Sequence, residues 1–330
     1  MKHIIFGGDG FLGTELTRKL VERGDKVLIC DEKQSLDFGN YSLPGVTYLK
    51  MDVTKPDTFK EIPVDADDIV YHFAARLLVP IKPRAEREEY FFTSLLTGTQ
   101  NVLNWMEEKG LRNMIYYTTD MVYGRTVTEP KFEDHPRVPL GPYGDAKYQT
   151  ELLVEKYREQ GYNISLFRPR LIIGHGRLGI LEKLFKLVDM NLPVPTIGNG
   201  KNYYQFISVS DCADACIAAV EAGFPNEAYN LGSDNPPTVN ELLRSLIKEA
   251  GSKSFLIPTP AFAVKGVLAV LDRMGMPIMD PEQYMIADES CVVDCSKAER
   301  EIGWVAKDDD TSMLLLAYRD YQEGNSRPIE

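Results

Sequence analysis

The run Gly7-Gly8-Asp9-Gly10-Phe11-Leu12-Gly13 constrains the fold more than any other stretch of the chain. It follows the apolar residues His3-Ile4-Ile5-Phe6 and opens an amphipathic segment that reaches Arg23. A glycine-rich turn between a strand and a helix is a phosphate-holding context. There the first glycine permits a tight turn, the second lets the main chain approach a pyrophosphate, and the third lets helix and strand pack closely. The pyrophosphate then lies on N–H groups at the helix terminus. Gly7, Gly10, Phe11, Leu12 and Gly13 are therefore candidate cofactor contacts. Asp31 follows the second strand candidate, Lys26-Cys30, at a distance of 18 residues from Gly13. A carboxylate there can accept hydrogen bonds from ribose hydroxyls and repels a 2'-phosphate. The expected cofactor is NAD rather than NADP, with Lys33 as the nearby cation that would partly offset the repulsion.

The same alternation continues along the first half of the chain. Further strand candidates are Thr47-Lys50, Asp68-Phe73, Met114-Thr118 and Ile164-Arg168, and helical candidates are Gly10-Arg23, Phe91-Lys109 and Tyr143-Gln160. Strands alternating with long helices need crossovers, which give a parallel sheet covered on both faces. The expected fold class is α/β, a doubly wound Rossmann-type sheet with its ligand crevice at the carboxyl ends of the strands. Past Arg168 the rhythm breaks at the turn signals Gly174-His175-Gly176, Pro193-Val194-Pro195 and Gly198-Asn199-Gly200. Strands near Gln205-Val209 and Ala228-Leu231 are expected to rejoin the main sheet. Thr238-Ala250 and Pro260-Met274 read as helices of a smaller, mainly helical lobe that binds substrate. The division is then a cofactor-binding domain over 1–170 and a substrate lobe over 171–330, which suits a chain of 330 residues with 44% apolar content.

A net charge of -12 and a pI of about 5.0 give no electrostatic basis for holding nucleic acid. The five cysteines, Cys30, Cys212, Cys216, Cys291 and Cys295, are sparse and odd in number, unlike a disulfide framework. The first strand candidate starts at His3, leaving no room for a secretory segment. No apolar run approaches the roughly 18 residues of a membrane span. A cytoplasmic protein without membrane insertion is expected. Cys212/Cys216 and Cys291/Cys295 lack a CxxC partner or a nearby histidine, so no metal is expected. The absence of a Gly-x-Ser-x-Gly elbow argues against a serine hydrolase.

Tyr143-Gly144-Asp145-Ala146-Lys147 sets a phenol and an ammonium one helical turn apart on one face. Such an ammonium is expected to lower the phenol's pKa from its usual value near 10. A phenol so tuned can take the proton of a substrate alcohol while hydride leaves the carbon. Upstream, Tyr116-Tyr117-Thr118-Thr119-Asp120 ends an apolar strand, which brings the Thr119 hydroxyl to the same crevice.

With these features go Met51-Asp52-Val53, His72-Phe73-Ala74-Ala75, Thr118-Thr119-Asp120-Met121-Val122-Tyr123-Gly124, Arg168-Pro169, Phe206-Ile207-Ser208-Val209-Ser210-Asp211, and Asp294-Cys295-Ser296-Lys297-Ala298 leading to Ile302-Gly303-Trp304. Over nearly its whole length the chain resembles the extended short-chain dehydrogenase/reductase family, the NAD-dependent epimerases and dehydratases. The resemblance implies that Thr119, Tyr143 and Lys147 form a catalytic trio, with Lys147 also bonding the nicotinamide ribose. It implies that Asp52 and Val53 flank the adenine, that Phe73, Ala74, Ala75 and Pro169 line the cofactor, and that a homodimer forms through the helices near Phe91-Lys109 and Tyr143-Gln160.

The departures from the family pattern narrow the chemistry. Members that dehydrate nucleotide sugars carry an Asp-Glu pair after the threonine; here Asp120 is followed by Met121, whose thioether moves no proton. Members that bind nucleotide sugars present an arginine two residues before the Phe206-like aromatic and another upstream of the Asp294-like aspartate. Here Tyr204 takes the first position and Asp280-Pro281-Glu282-Gln283-Tyr284 the region of the second, so the usual guanidinium forks are missing. Arg170, Arg177, Lys183 and Lys201 are possible substitutes. Leu95 replaces a common cofactor-contacting asparagine, with Thr93 or Ser94 as substitutes. Asp120, Met121, Arg170 and Tyr204 are the candidate substrate residues. Leu178, Ile180, Leu181 and Leu184 fit either an apolar substrate pocket or simple core packing. The leading expectation is NAD-dependent epimerisation of a nucleotide-linked sugar through a transient ketone. The alternatives are net oxidation or reduction of a less polar, sterol-like or lipid-like alcohol, and an idle NAD-sensing scaffold.

Overall fold

The computed structural model describes residues 1–33, 42–78, 81–175, 178 and 181–324. Gly176, Arg177 and Ile180, named above, lie outside the described residues. The first strand, β1 (His3–Phe6), is followed at once by α1 (Phe11–Glu22), then β2 (Val27–Asp31), β3 (Val46–Lys50) and β4 (Ile69–His72). The helical stretch predicted over 91–109 is helical throughout and begins earlier: α2 (Arg87–Phe92) passes through a π-helical turn at Thr93–Thr97 into α3 (Gly98–Lys109). Then come β5 (Asn113–Tyr117), α4 (Pro142–Glu159), β6 (Asn163–Pro169), β7 (Leu171–Ile173), α5 (Leu181–Asp189), β8 (Val194–Ile197), β9 (Phe206–Ser208), α6 (Val209–Glu221) and β10 (Ala228–Leu231). The chain closes with α7 (Val239–Glu249), β11 (Leu256–Thr259), α8 (Ala261–Arg273), α9 (Pro281–Tyr284), α10 (Ser296–Ile302) and α11 (Asp310–Gln322).

Seven strands form one parallel sheet in the order β10-β6-β5-β4-β1-β2-β3. Successive side chains of a strand point to opposite faces, and here both faces are covered. Ile5, Ile29, Tyr71, Ile115 and Phe167 pack with Leu16 of α1 and Cys212 and Cys216 of α6. Ile4, Phe6, Leu28, Val70 and Met114 pack against Trp105 and Met106 of α3 and Val154 and Tyr157 of α4. Order reverses between β1 and β4, which is where a doubly wound sheet opens its crevice.

The expectation that a strand near 205–209 joins this sheet is corrected. β9 pairs in parallel with β7 in a separate two-stranded ribbon, in register from Leu171 with Phe206 to Ile173 with Ser208. Arg170 separates β7 from β6 and donates its N–H to Leu231 O at 2.8 Å, which ends the sheet ladder there and turns the chain away. A further ribbon, β8 with β11, sits among α5, α7 and α11. Their core joins Leu178, Leu181, Phe185, Leu242, Leu246, Leu314 and Tyr318, with Leu184 packed against it, so these leucines are core residues. Among the described residues no helix is long and apolar enough to cross a membrane.

Candidate active site

The glycine loop lies at the switch between β1 and β4. Gly7 has φ +79, and a Cβ on it would stand 2.5 Å from Ala74 N. A Cβ on Gly13 would stand 2.4 Å from Gly7 O and 2.6 Å from Gly8 Cα, so α1 approaches the strand more closely than any side chain allows. Gly10 caps α1 without a side-chain hydrogen bond, no acid occupies the first turn, and beside its Cβ position only Gly7 O comes close, at 3.1 Å. An acid-free helix N-terminus with open space next to it suits an anion such as a pyrophosphate.

Asp31 ends β2, and its Oδ2 accepts from Asp9 N at 3.0 Å, which turns the carboxylate toward the loop. Burial raises its carboxyl to about 6, against the pull of the Asp9 and Lys33 N–H groups. Hydroxyl donors favour the ionised form, so binding a ribose there releases a proton below that value and affinity rises with pH through it. NAD is expected to bind about tenfold more tightly at pH 7.5 than at pH 5, and Asp31→Asn to bind weakly with no such slope. Calorimetric titration at several pH values checks this; a flat wild-type profile would remove Asp31 from the ribose site.

Asp52 is held by Thr54 N at 2.9 Å, Thr54 Oγ1 at 2.6 Å and Lys55 Nζ at 2.8 Å. Burial pushes its carboxyl up, but the Lys55 and Thr54 bonds outweigh it and hold it at about 2. Val53 is buried, and its carbonyl accepts from Asn101 Nδ2 at 2.9 Å. Phe73, Ala74 and Ala75 leave the end of β4 beside Gly7, and Phe73 meets the Tyr117 ring edge-on at 5.3 Å. Pro169 is the last residue of β6. Ser94, in the π-helical turn, accepts from Arg76 N at 3.1 Å. Leu95 instead packs with Phe91, Tyr143 and Ala146, with Met121 against them. His72 is buried in the sheet, its Nε2 3.0 Å from Thr99 Oγ1, and His175 pairs with Asp320 at 2.8 Å.

Thr119, Tyr143 and Lys147 converge beyond the end of β5. Thr119 caps the short turn Asp120–Tyr123, accepting from Met121 N at 3.3 Å, and its hydroxyl favours the ionised form of the Tyr143 phenol. Lys147 is buried and donates to Tyr117 O at 2.8 Å, with the Tyr116 ring centroid 5.3 Å away. Burial lowers its ammonium to about 8, against the charge of Glu151. The expected depression of the phenol is not found in the protein alone. Burial and then the charge of Glu282 push Tyr143 up, while Thr119 pulls it down. The reason is geometric: the Lys147 ammonium is turned to the Tyr117 carbonyl.

Of the substrate candidates, Arg170 donates to the Asp120 carboxylate in a buried ion pair and lies 5.6 Å from the centre of the Tyr204 ring. Lys183 is turned to Ile278 O at 2.9 Å, and Lys201 is exposed. One residue escaped the sequence reading. Glu282 accepts from the backbone N–H of Tyr143 at 2.7 Å and of Gly144 at 2.8 Å. Burial raises its carboxyl to about 7 against the pull of the Gly144 and Tyr143 N–H groups, with Asp280 and Asp145 adding to the rise. Its only local signal was Asp280-Pro281, a helix-start pair.

A model of the NAD dependent epimerase/dehydratase family matches residues 3–232. The protein y4nG of Sinorhizobium fredii is 29% identical over 97% of this chain and 78% of its own length. A putative UDP-glucose 4-epimerase of Methanocaldococcus jannaschii is 27% identical over 75% of this chain and 82% of its own. Among solved structures, a UDP-glucose 4-epimerase of Thermotoga maritima with UDP-glucose has a TM-score of 0.79 at 24% identity, covering 98% of this chain and 99% of that one. A Bordetella bronchiseptica enzyme in complex with NAD has a TM-score of 0.77 at 20% identity, covering 100% and 98%. At such identities the likeness bears on the fold.

Proposed function

The chain belongs to the NAD dependent epimerase/dehydratase family, with NAD as its cofactor, and from that premise we propose that it epimerises a nucleotide-linked sugar through a transient ketone. The observation that carries this is the convergence of Thr119, Tyr143 and Lys147 beside the crevice. Asp120 is paired with Arg170, and Met121 has no ionisable group, so neither of these two residues offers the free acid or base that expulsion of water needs.

NAD, when bound, would supply the hydride-accepting and hydride-donating chemistry and a positive charge in its oxidised form. Tyr143 Oη takes the proton from the sugar hydroxyl as the carbon is oxidised, and gives it back when the ketone is reduced on its other face. Thr119 Oγ1 favours the phenolate and orients the hydroxyl that approaches it. Lys147 Nζ, now on Tyr117 O, would hold the cofactor ribose, and its positive charge near the phenol would favour the phenolate. Burial of Tyr143, 7% exposed, keeps water from competing for the proton.

Purified protein incubated with UDP-glucose and related nucleotide sugars is expected to form an epimer with no net absorbance change at 340 nm, with NAD released on denaturation. Accumulation of NADH with an apolar secondary alcohol, and no epimer, would sink this assignment. It would favour a second reading, dehydrogenation of a less polar alcohol, which draws on the apolar contacts of Phe91, Leu95 and Met121 around Tyr143.

A further inference from the structure

Helix α4 starts at Pro142, with Gly141 as a cap residue that offers no side-chain bond. Pro142 has no N–H, so the first donors of the helix are those of Tyr143 and Gly144. One carboxylate takes both, and it comes from 139 residues away along the chain. Glu282 is 1% exposed, and room for it exists because two neighbours lack side chains. A Cβ on Gly141 would stand 2.6 Å from Glu282 Cγ, and one on Gly144 2.9 Å from its Oε2. Gly141 has φ -170, extended backbone that any residue adopts, so the glycine answers to the carboxylate and not to the turn.

Glu282 is itself anchored. Its N–H donates to Asp280 Oδ1 at 3.0 Å, Asp280 lies 3.8 Å from Arg87 Nε, and Arg87 grips Asp272 with both terminal nitrogens. Arg87 opens α2, and Phe91 one turn later meets the Tyr143 ring edge-on at 5.3 Å. Buried groups thus enclose Tyr143 from the backbone side and the ring side together.

We propose that Glu282 is a positioning residue: it clamps the backbone of Tyr143 and Gly144 and thereby sets where the phenol meets the reacting hydroxyl. This rests on the assignment of Tyr143 as the proton-transferring group. Glu282→Gln keeps the shape, but its amide nitrogen cannot accept, so one N–H loses its partner. Glu282→Asp keeps the charge and falls a methylene short. Gly141→Ala displaces the carboxylate without altering it, and serves also if a Glu282 variant fails to fold.

Amide hydrogen exchange on the NAD-loaded protein is expected to be about tenfold faster at Tyr143 and Gly144 in Glu282→Asp and Gly141→Ala, and at one of the two in Glu282→Gln. With UDP-glucose, kcat is expected to fall about tenfold or more in Glu282→Gln and Gly141→Ala, while KM and NAD affinity change by less than about twofold. Gly141→Ala should have no further effect on a Glu282→Ala background, where the space is vacant. Unchanged exchange in Glu282→Gln, or faster exchange with wild-type kcat, overturns the clamp. Should the wild type turn over no nucleotide sugar, that substrate assignment fails alone. The Tyr143 ring 13Cζ resonance, identified by its loss in Tyr143→Phe, then decides: displacement in Glu282→Gln supports the clamp and an unmoved line overturns it.

Discussion

Tyr143→Phe is expected to lower kcat by about 10²- to 10⁴-fold while leaving NAD affinity within about twofold of wild type. The substitution removes one oxygen from a buried ring and leaves its packing against Phe91 and Leu95 intact, so the helix that carries Lys147 stays in place. Thr119 keeps its bond from Met121 N, and Lys147 keeps its bond to Tyr117 O. What is lost is the group that we propose exchanges a proton with the substrate hydroxyl. Paired measurements of turnover and of NAD binding separate this from a folding defect. Retained turnover would assign proton transfer to another group.

The parts of the molecule that were legible from the chain are those governed by short spacings. The strand, glycine loop and α1 succeed one another within the first 22 residues, so their pattern is visible locally. Tyr143 and Lys147 share a helix face because four residues make about one turn. Long-range relations left no such trace. Glu282 reaches α4 across 139 residues, and Arg170 reaches Asp120 across 50, with nothing in either segment to name its partner. β9 has only three residues, and which ribbon accepts a strand so short is decided by the chain's turn at Arg170 rather than by its own apolar pattern. The π-helical turn shifts the helical period where Leu95 comes to face Tyr143, too slight a change to be seen in periodicity. The direction of the phenol's shift is hidden for the same kind of reason, since the i and i+4 spacing says nothing of the carbonyl that holds Lys147.

The same helix face carries a third ionisable group one turn beyond Lys147, and it accounts for the largest expected effect on stability. Glu151 is fully buried and takes Arg168 in a two-pronged pair, Nε to Oε1 at 3.0 Å and Nη2 to Oε2 at 2.7 Å, with Arg137 adding a bond at 2.9 Å. Arg168 lies on β6, so the pair fastens the helix bearing Tyr143 and Lys147 to the central sheet. Glu151→Ala strands a 3% exposed guanidinium, whose remaining partners are Tyr123 Oη and Glu133 O. A buried charge left without its counterion costs about 3–5 kcal/mol, whereas replacing both partners by apolar side chains of similar volume costs far less. Urea denaturation is therefore expected to show a loss of that size for Glu151→Ala and a clearly smaller one for the double variant Glu151→Leu with Arg168→Met. The charge of Glu151 also opposes the burial that lowers Lys147, so the single variant should lower that ammonium further and weaken the support that we propose it gives the phenolate. A loss under about 1 kcal/mol would mean that water reaches Arg168 once Glu151 is gone, and that the helix is held to the sheet by apolar packing alone.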